Sequence, residues 1–127
     1  LSKKYGQRVA NVFHAGDGNL HPLILYDANI EGELERTEEF GGAICELCLE
    51  HGGTITGEHG VGVEKIDQMC VQFPPDELTQ FHAVKNAFDD KGLLNPGKAV
   101  PTLHRCAEFG AMHVHNGELP FPELERL

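Results

Sequence analysis

Nothing in these 127 residues approaches the run of ~20 apolar positions that a membrane-spanning helix requires, so no transmembrane segment is expected. Basic charge is also scarce. Ten Lys and Arg face twenty Asp and Glu, a formal net charge of −10, and no basic patch of the kind that grips nucleic acid is visible. Acidity gathers between Asp27 and Glu50, where Arg36 is the only basic residue, either as a solvated helix face or as a docking surface for a partner protein. Cysteine is limited to Cys45, Cys48, Cys70 and Cys106. Cys45-Glu46-Leu47-Cys48 has CxxC spacing, but no second pair accompanies it, so buried thiols in a reducing cytosol are expected in place of a zinc or redox site. Repeats, low-complexity tracts and a signal-peptide pattern are lacking as well. The opening Leu1-Ser2-Lys3-Lys4 reads as a cut inside a longer chain, and the length fits one domain with a modest core.

What the chain does have is His14-Ala15-Gly16-Asp17-Gly18-Asn19-Leu20-His21, with β-rich runs at Arg8 to Phe13 and Leu20 to Tyr26 on either side. Asp-Gly between apolar runs signals a hairpin. A two-residue type I′ turn at Asp17-Gly18 would pair His14 with His21 on one face, Cβ atoms about 5 Å apart. Leu23-Ile24-Leu25 is apolar on both faces, as in a strand covered on two sides. Leu34, Ala43, Ile44, Leu47 and Cys48 then make the apolar stripe of a helix from Glu33 to His51, ended by Gly52-Gly53. A short β run, Thr54-Ile55-Thr56, leads into Gly57-Glu58-His59-Gly60-Val61-Gly62. Helices are expected over 63–71 and, opened by Pro74-Pro75-Asp76, up to Asp89-Asp90. The tail from Pro101 to Leu127 reads as irregular chain.

Two histidines that share a face can share a metal ion, and Glu58 would complete a His₂-carboxylate set with coordination positions left open for substrate. Spacing does not choose among zinc, manganese and iron. His59 would remain as a general base, while Asp17 and Asn19 shape the turn or orient a histidine. Gly57 to Gly62 lets backbone approach a ligand, and a helix N-terminus behind it would favour an anion. Its glycine order is not the dinucleotide fingerprint G-x-G-x-x-G. His51, His82, His104, His113 and His115 lack comparable context.

These motifs resemble the C-terminal domain of FAD-linked oxidases, flavoproteins of the vanillyl-alcohol-oxidase type that oxidise 2-hydroxy acids. The resemblance rests on H-A-G-D-G-N-L-H from His14, G-E-H-G-V-G from Gly57 with Lys65 behind it, and L-L-N-P-G-K from Leu93. The segment from Pro101 to His115 and the ending Leu119-Pro120-Phe121-Pro122 resemble the glycolate-oxidising branch in particular. An α+β fold is implied, antiparallel strands packed with helices. Residues 1–100 would be part of the substrate and metal domain, 101–127 an irregular tail, and the N-terminal FAD-binding domain absent.

The resemblance further implies that His14, His21 and Glu58 hold the metal. His59 takes the substrate hydroxyl proton as hydride passes to FAD, and Asn95, with Lys98, approaches the flavin. Glycolate would become glyoxylate. Where 2-hydroxyglutarate-type relatives carry a polar residue two positions past the second histidine, this chain has Leu23, which suits a small substrate. Expected partners are a small 2-hydroxy acid and other subunits of a glycolate-oxidising complex, an iron–sulfur protein among them. The expected location is cytoplasmic, peripheral to the inner membrane through those subunits. Self-association through an incomplete sheet is a hazard. The segment alone is expected to be inactive as an oxidase. Two other readings stand beside the enzyme: a divalent-metal-binding module without redox activity, and an assembly domain docking an iron–sulfur subunit.

Overall fold

A computed structural model describes residues 1–101. The expected tail, with His104, Cys106, His113 and His115, lies beyond Pro101, outside the described residues. Helices and a two-stranded antiparallel sheet make an α+β architecture, and the chain divides into two compact units after Gly57.

The first unit runs α1 (Ser2–Tyr5), β1 (Arg8–His14), β2 (Asn19–Leu25) and α2 (Glu33–Glu50). The four-residue α1 was not apparent from the sequence. Gly6, at φ 66°, turns the chain from it into β1. α1 supplies Tyr5, whose ring stacks on Phe40 with centroids 5.0 Å apart, and Phe40 is only 1% exposed. Gln7, buried at the same junction, donates from Nε2 to Thr37 Oγ1 at 2.6 Å. The buried side of α2 therefore runs through Thr37, Phe40, Gly41 and Ile44, and Leu34 and Leu47 of the expected stripe are exposed. The helix ends as expected. Gly52 adopts φ 77°, and the Gly53 N–H returns to the Cys48 carbonyl at 2.8 Å.

The hairpin differs from expectation in register. β1 and β2 pair His14 with Asn19, Val12 with His21 and Ala10 with Leu23. The loop is Ala15 to Gly18, four residues and not two. The Asp17 N–H bonds the His14 carbonyl at 3.1 Å, and Gly18 follows at φ 68°. Asp17 has no positive φ, which a type I′ turn would require, so the loop is the four-residue kind built on a β-turn. The slip is two residues. Because side chains alternate with period two, His14 and His21 remain on one face. Ile24, on the opposite face, reaches toward Gly41 of α2, whereas Leu23 and Leu25 are half exposed, so β2 is not covered on both sides among the described residues.

Thr54-Ile55-Thr56 forms no strand. Ile55 is buried instead, its carbonyl accepting a contact from Cys45 Sγ at 3.9 Å. Cys45 and Cys48 form no disulfide and are half-buried.

The second unit contains α3 (Ile66–Gln72) and α4 (Pro75–Phe88). α3 starts later than residue 63 because Gly60 and Gly62 take positive φ and the chain turns before it coils. Among the described residues Ile66, Met69, Leu78 and Pro101 are buried in this unit, and Phe73 meets Phe81 edge to face at 5.0 Å. Pro75 opens α4 at its first turn, followed by Asp76 and Glu77, which suit the positive helix end. Inward positions on α4 are Leu78, Phe81, His82, Lys85 and then Asp89, while Val84 and Phe88 face solvent.

Candidate functional site

The hairpin presents His14 and His21 diagonally on one face, ring centroids 5.2 Å apart in an edge-to-face arrangement. His14 is exposed and His21 half-buried. Asn19 sits on the same face, directly opposite His14. A Cβ built on Gly57 would stand 2.7 Å from Asn19 Oδ1, closer than real Cβ contacts come. Glycine at 57 thus permits the chain to pass against the hairpin immediately before Glu58. Sequence reading gave Asn19 a role in the turn. Its contact with Gly57 was not visible, because that contact joins residues far apart in the chain.

His14, His21 and Glu58 each offer a ligand atom, and these atoms lie within 4.8 Å of one another. Donors around one tetrahedral ion at ~2.1 Å stand about 3.4 Å apart, so a spread of at most 4.8 Å is near the separation one ion requires. Two imidazoles and a carboxylate are a donor set for a borderline or hard divalent ion. His59 lies beside the set. Its Nε2 is 3.2 Å from Glu58 Oε1, and both side chains are open to solvent. No helix N-terminus backs this segment directly, since α3 begins only at Ile66, and the anion expectation has no support here.

Asn95 and Lys98 occupy the turn after α4, where Lys98 Nζ donates to Asn95 Oδ1 at 3.3 Å. Asn95 adopts φ 45° and Ala99 φ 65°, both left-handed and unusual outside glycine. The Val100 N–H bonds the Lys98 carbonyl at 2.8 Å across Ala99, a tight γ-type turn. Within this unit, the Ala99 N–H also bonds the Gly62 carbonyl at 2.8 Å, tying the Asn-Pro-Gly-Lys turn to the segment that carries His59.

The start of that turn is held by a residue the sequence marked only as a helix end. The Asp89 carboxylate accepts the N–H groups of Leu93 (2.8 Å) and Leu94 (2.9 Å) and pairs with the Lys85 ammonium. Lys85 also donates to the Leu94 carbonyl at 2.6 Å. The Lys85 hydrogen bond holds the Asp89 carboxyl below its ordinary range against the opposing effect of burial, and the two backbone N–H groups add to this.

Comparison with known proteins matches residues 1–99 to the C-terminal domain of FAD-linked oxidases. The chain belongs to that family. It is 74% identical to the glycolate oxidase subunit GlcD of Escherichia coli K12 over 126 residues, 99% of this chain and 25% of that protein. It is 42% identical to GlcD of Bacillus subtilis over 98 residues, 77% of this chain and 21% of that one. A D-lactate dehydrogenase of Archaeoglobus fulgidus is 37% identical over 105 residues, 81% of this chain and 22% of the relative. The chain thus spans about a quarter of the length of the curated relatives it matches. No described helix is long and apolar enough to cross a membrane.

Proposed function

We propose that this chain is the metal- and substrate-side C-terminal part of a FAD-dependent 2-hydroxy-acid oxidoreductase acting on glycolate. The observation that carries the reading is the convergence of His14, His21 and Glu58 donor atoms, with His59 adjoining Glu58. The names of its relatives, glycolate oxidase subunits and D-lactate dehydrogenases, support a small 2-hydroxy acid as substrate.

His14, His21 and Glu58 are the residues that would hold a divalent ion, zinc, manganese or iron. Asn95 and Lys98, exposed polar groups on a pinned turn, would face the flavin. When bound, the ion supplies Lewis acidity toward an α-hydroxyl and the flavin supplies the electron sink. His59 accepts the hydroxyl proton, the task an imidazole performs best near neutral pH. Glu58 Oε1, 3.2 Å from His59 Nε2, would orient the His59 ring. Leu23, two positions past His21 on the same face, offers no hydrogen bond to a second substrate carboxylate, which favours glycolate or lactate over a diacid.

The glycolate oxidase relatives are described as subunits, which supports assembly with further chains; an iron–sulfur partner and a cytoplasmic site peripheral to the inner membrane complete the proposal. In the full-length, FAD-loaded enzyme, His59→Ala should lower kcat by about 10²–10⁴-fold while metal content stays at the wild-type level. Undiminished turnover would remove His59 as the base. A wild-type protein that retained metal but never reduced flavin with any 2-hydroxy acid would favour the metal-binding module.

A further inference from the structure

The turn that carries Asn95 and Lys98 is fixed at both ends by groups that bear no catalytic chemistry themselves. At its far end the Ala99 N–H is bonded to Gly62, with Ala99 held in a left-handed conformation. At its near end lies Asp89, 6% exposed, both of whose carboxylate oxygens are engaged. Its own carbonyl accepts the Gly92 N–H at 3.1 Å, so three backbone amides between 92 and 94 close on one residue. Lys85, one helical turn earlier, neutralises the carboxylate and bonds the Leu94 carbonyl, the peptide that leads into Asn95. A helix cap needs only one or two such bonds. Here the concentration of charge-assisted bonds falls on residues 93 and 94, whose side chains are exposed and gain no burial from being ordered.

We propose that Asp89, together with Lys85, is a positioning residue for the flavin-facing turn, setting where Asn95 and Lys98 stand. This rests on the reading of Asn95 as a flavin contact. In that role the pair converts an otherwise exposed loop into a rigid support, as preorganised cofactor contacts require. Asp89→Asn keeps shape but loses the charge, and Lys85→Met keeps the apolar stem but loses both donated bonds. Neither removes an apolar group from the core.

The test uses the full-length, FAD-loaded protein in four forms: wild type, Asn95→Ala, Asp89→Asn and Lys85→Met. The readings are the flavin absorbance spectrum, FAD affinity and metal content. Expected is a spectral shift in the same direction for all three variants, with FAD affinity weakened about tenfold, as loss of a charge-assisted hydrogen bond would give. Metal content should be unchanged, and Lys85→Arg should restore the wild-type spectrum. If Asn95→Ala alters the flavin and the Asp89 and Lys85 variants only lower Tm, the pair is structural and the inference is overturned. If Asn95→Ala itself leaves the flavin untouched, the flavin reading of the turn fails and the inference falls with it.

Discussion

A methyl group at position 57 would meet Asn19 Oδ1 at 2.7 Å, so Gly57→Ala should turn the Asn19 amide aside, opposite His14. Groups that orient metal ligands are worth about 10–100-fold in metal affinity, and because a side-chain rotation relieves this clash, a loss of no more than about tenfold is expected for Gly57→Ala by metal titration. Asn19→Ala in the same protein clears the space and should recover part of the loss, a coupling seen only between residues in contact. At Asp89 the prediction concerns pH. Its folded carboxyl lies below the ordinary value of 3.8, so as pH falls the unfolded chain takes up the proton first. The contribution is complete above that ordinary value and is lost as pH drops through the folded one. Amide exchange at Leu93 and Leu94 should accelerate there relative to the amides of α2, and unchanged relative rates would contradict the role of the carboxylate. None of this was legible beforehand. His14, His21, Glu58 and His59 stand out in sequence because rare side chains cluster in glycine-rich motifs, whereas Asn19, Lys85 and Asp89 act through contacts that spacing does not encode.

Among the elements, β1, β2, α2 and α4 follow from hydrophobic alternation, helical periodicity, the Gly52-Gly53 stop and the Pro74-Pro75 start. The hairpin register does not, because Asp-Gly also ends a four-residue loop once Gly18 alone takes the left-handed conformation. The error spared the site only because it was an even number of residues. Phe40 was missed for a different reason. Its partner Tyr5 sits on a four-residue helix too short to show periodicity, yet the stack is the buried centre of the first unit. Phe40→Ala should cost about 3–5 kcal/mol of stability, read as a lower denaturant midpoint, while an exposed position such as Leu34 should tolerate alanine. The Thr54-Ile55-Thr56 run shows the converse limit. β-branched composition alone does not make a strand, since context decides where such residues pair.

Over the whole molecule, apolar side chains remain uncovered among the described residues on both units: Phe13, Leu20 and Leu23 on the hairpin, Val84 and Phe88 on α4, with Phe88 84% exposed. Such surface on a chain matching a quarter of its relatives' length is what the expectation of self-association rests on. The 127-residue segment on its own should show a sedimentation mass that rises with concentration above 13.9 kDa. The central claim, a metal held by residues of the hairpin and the Gly57 to Gly62 segment, is tested most directly by elemental analysis of the full-length protein and its single variants. One equivalent of a transition metal in wild type and His59→Ala, lost in His14→Ala and in His21→Ala, is the predicted result. Metal retained at the wild-type level without either histidine would contradict it.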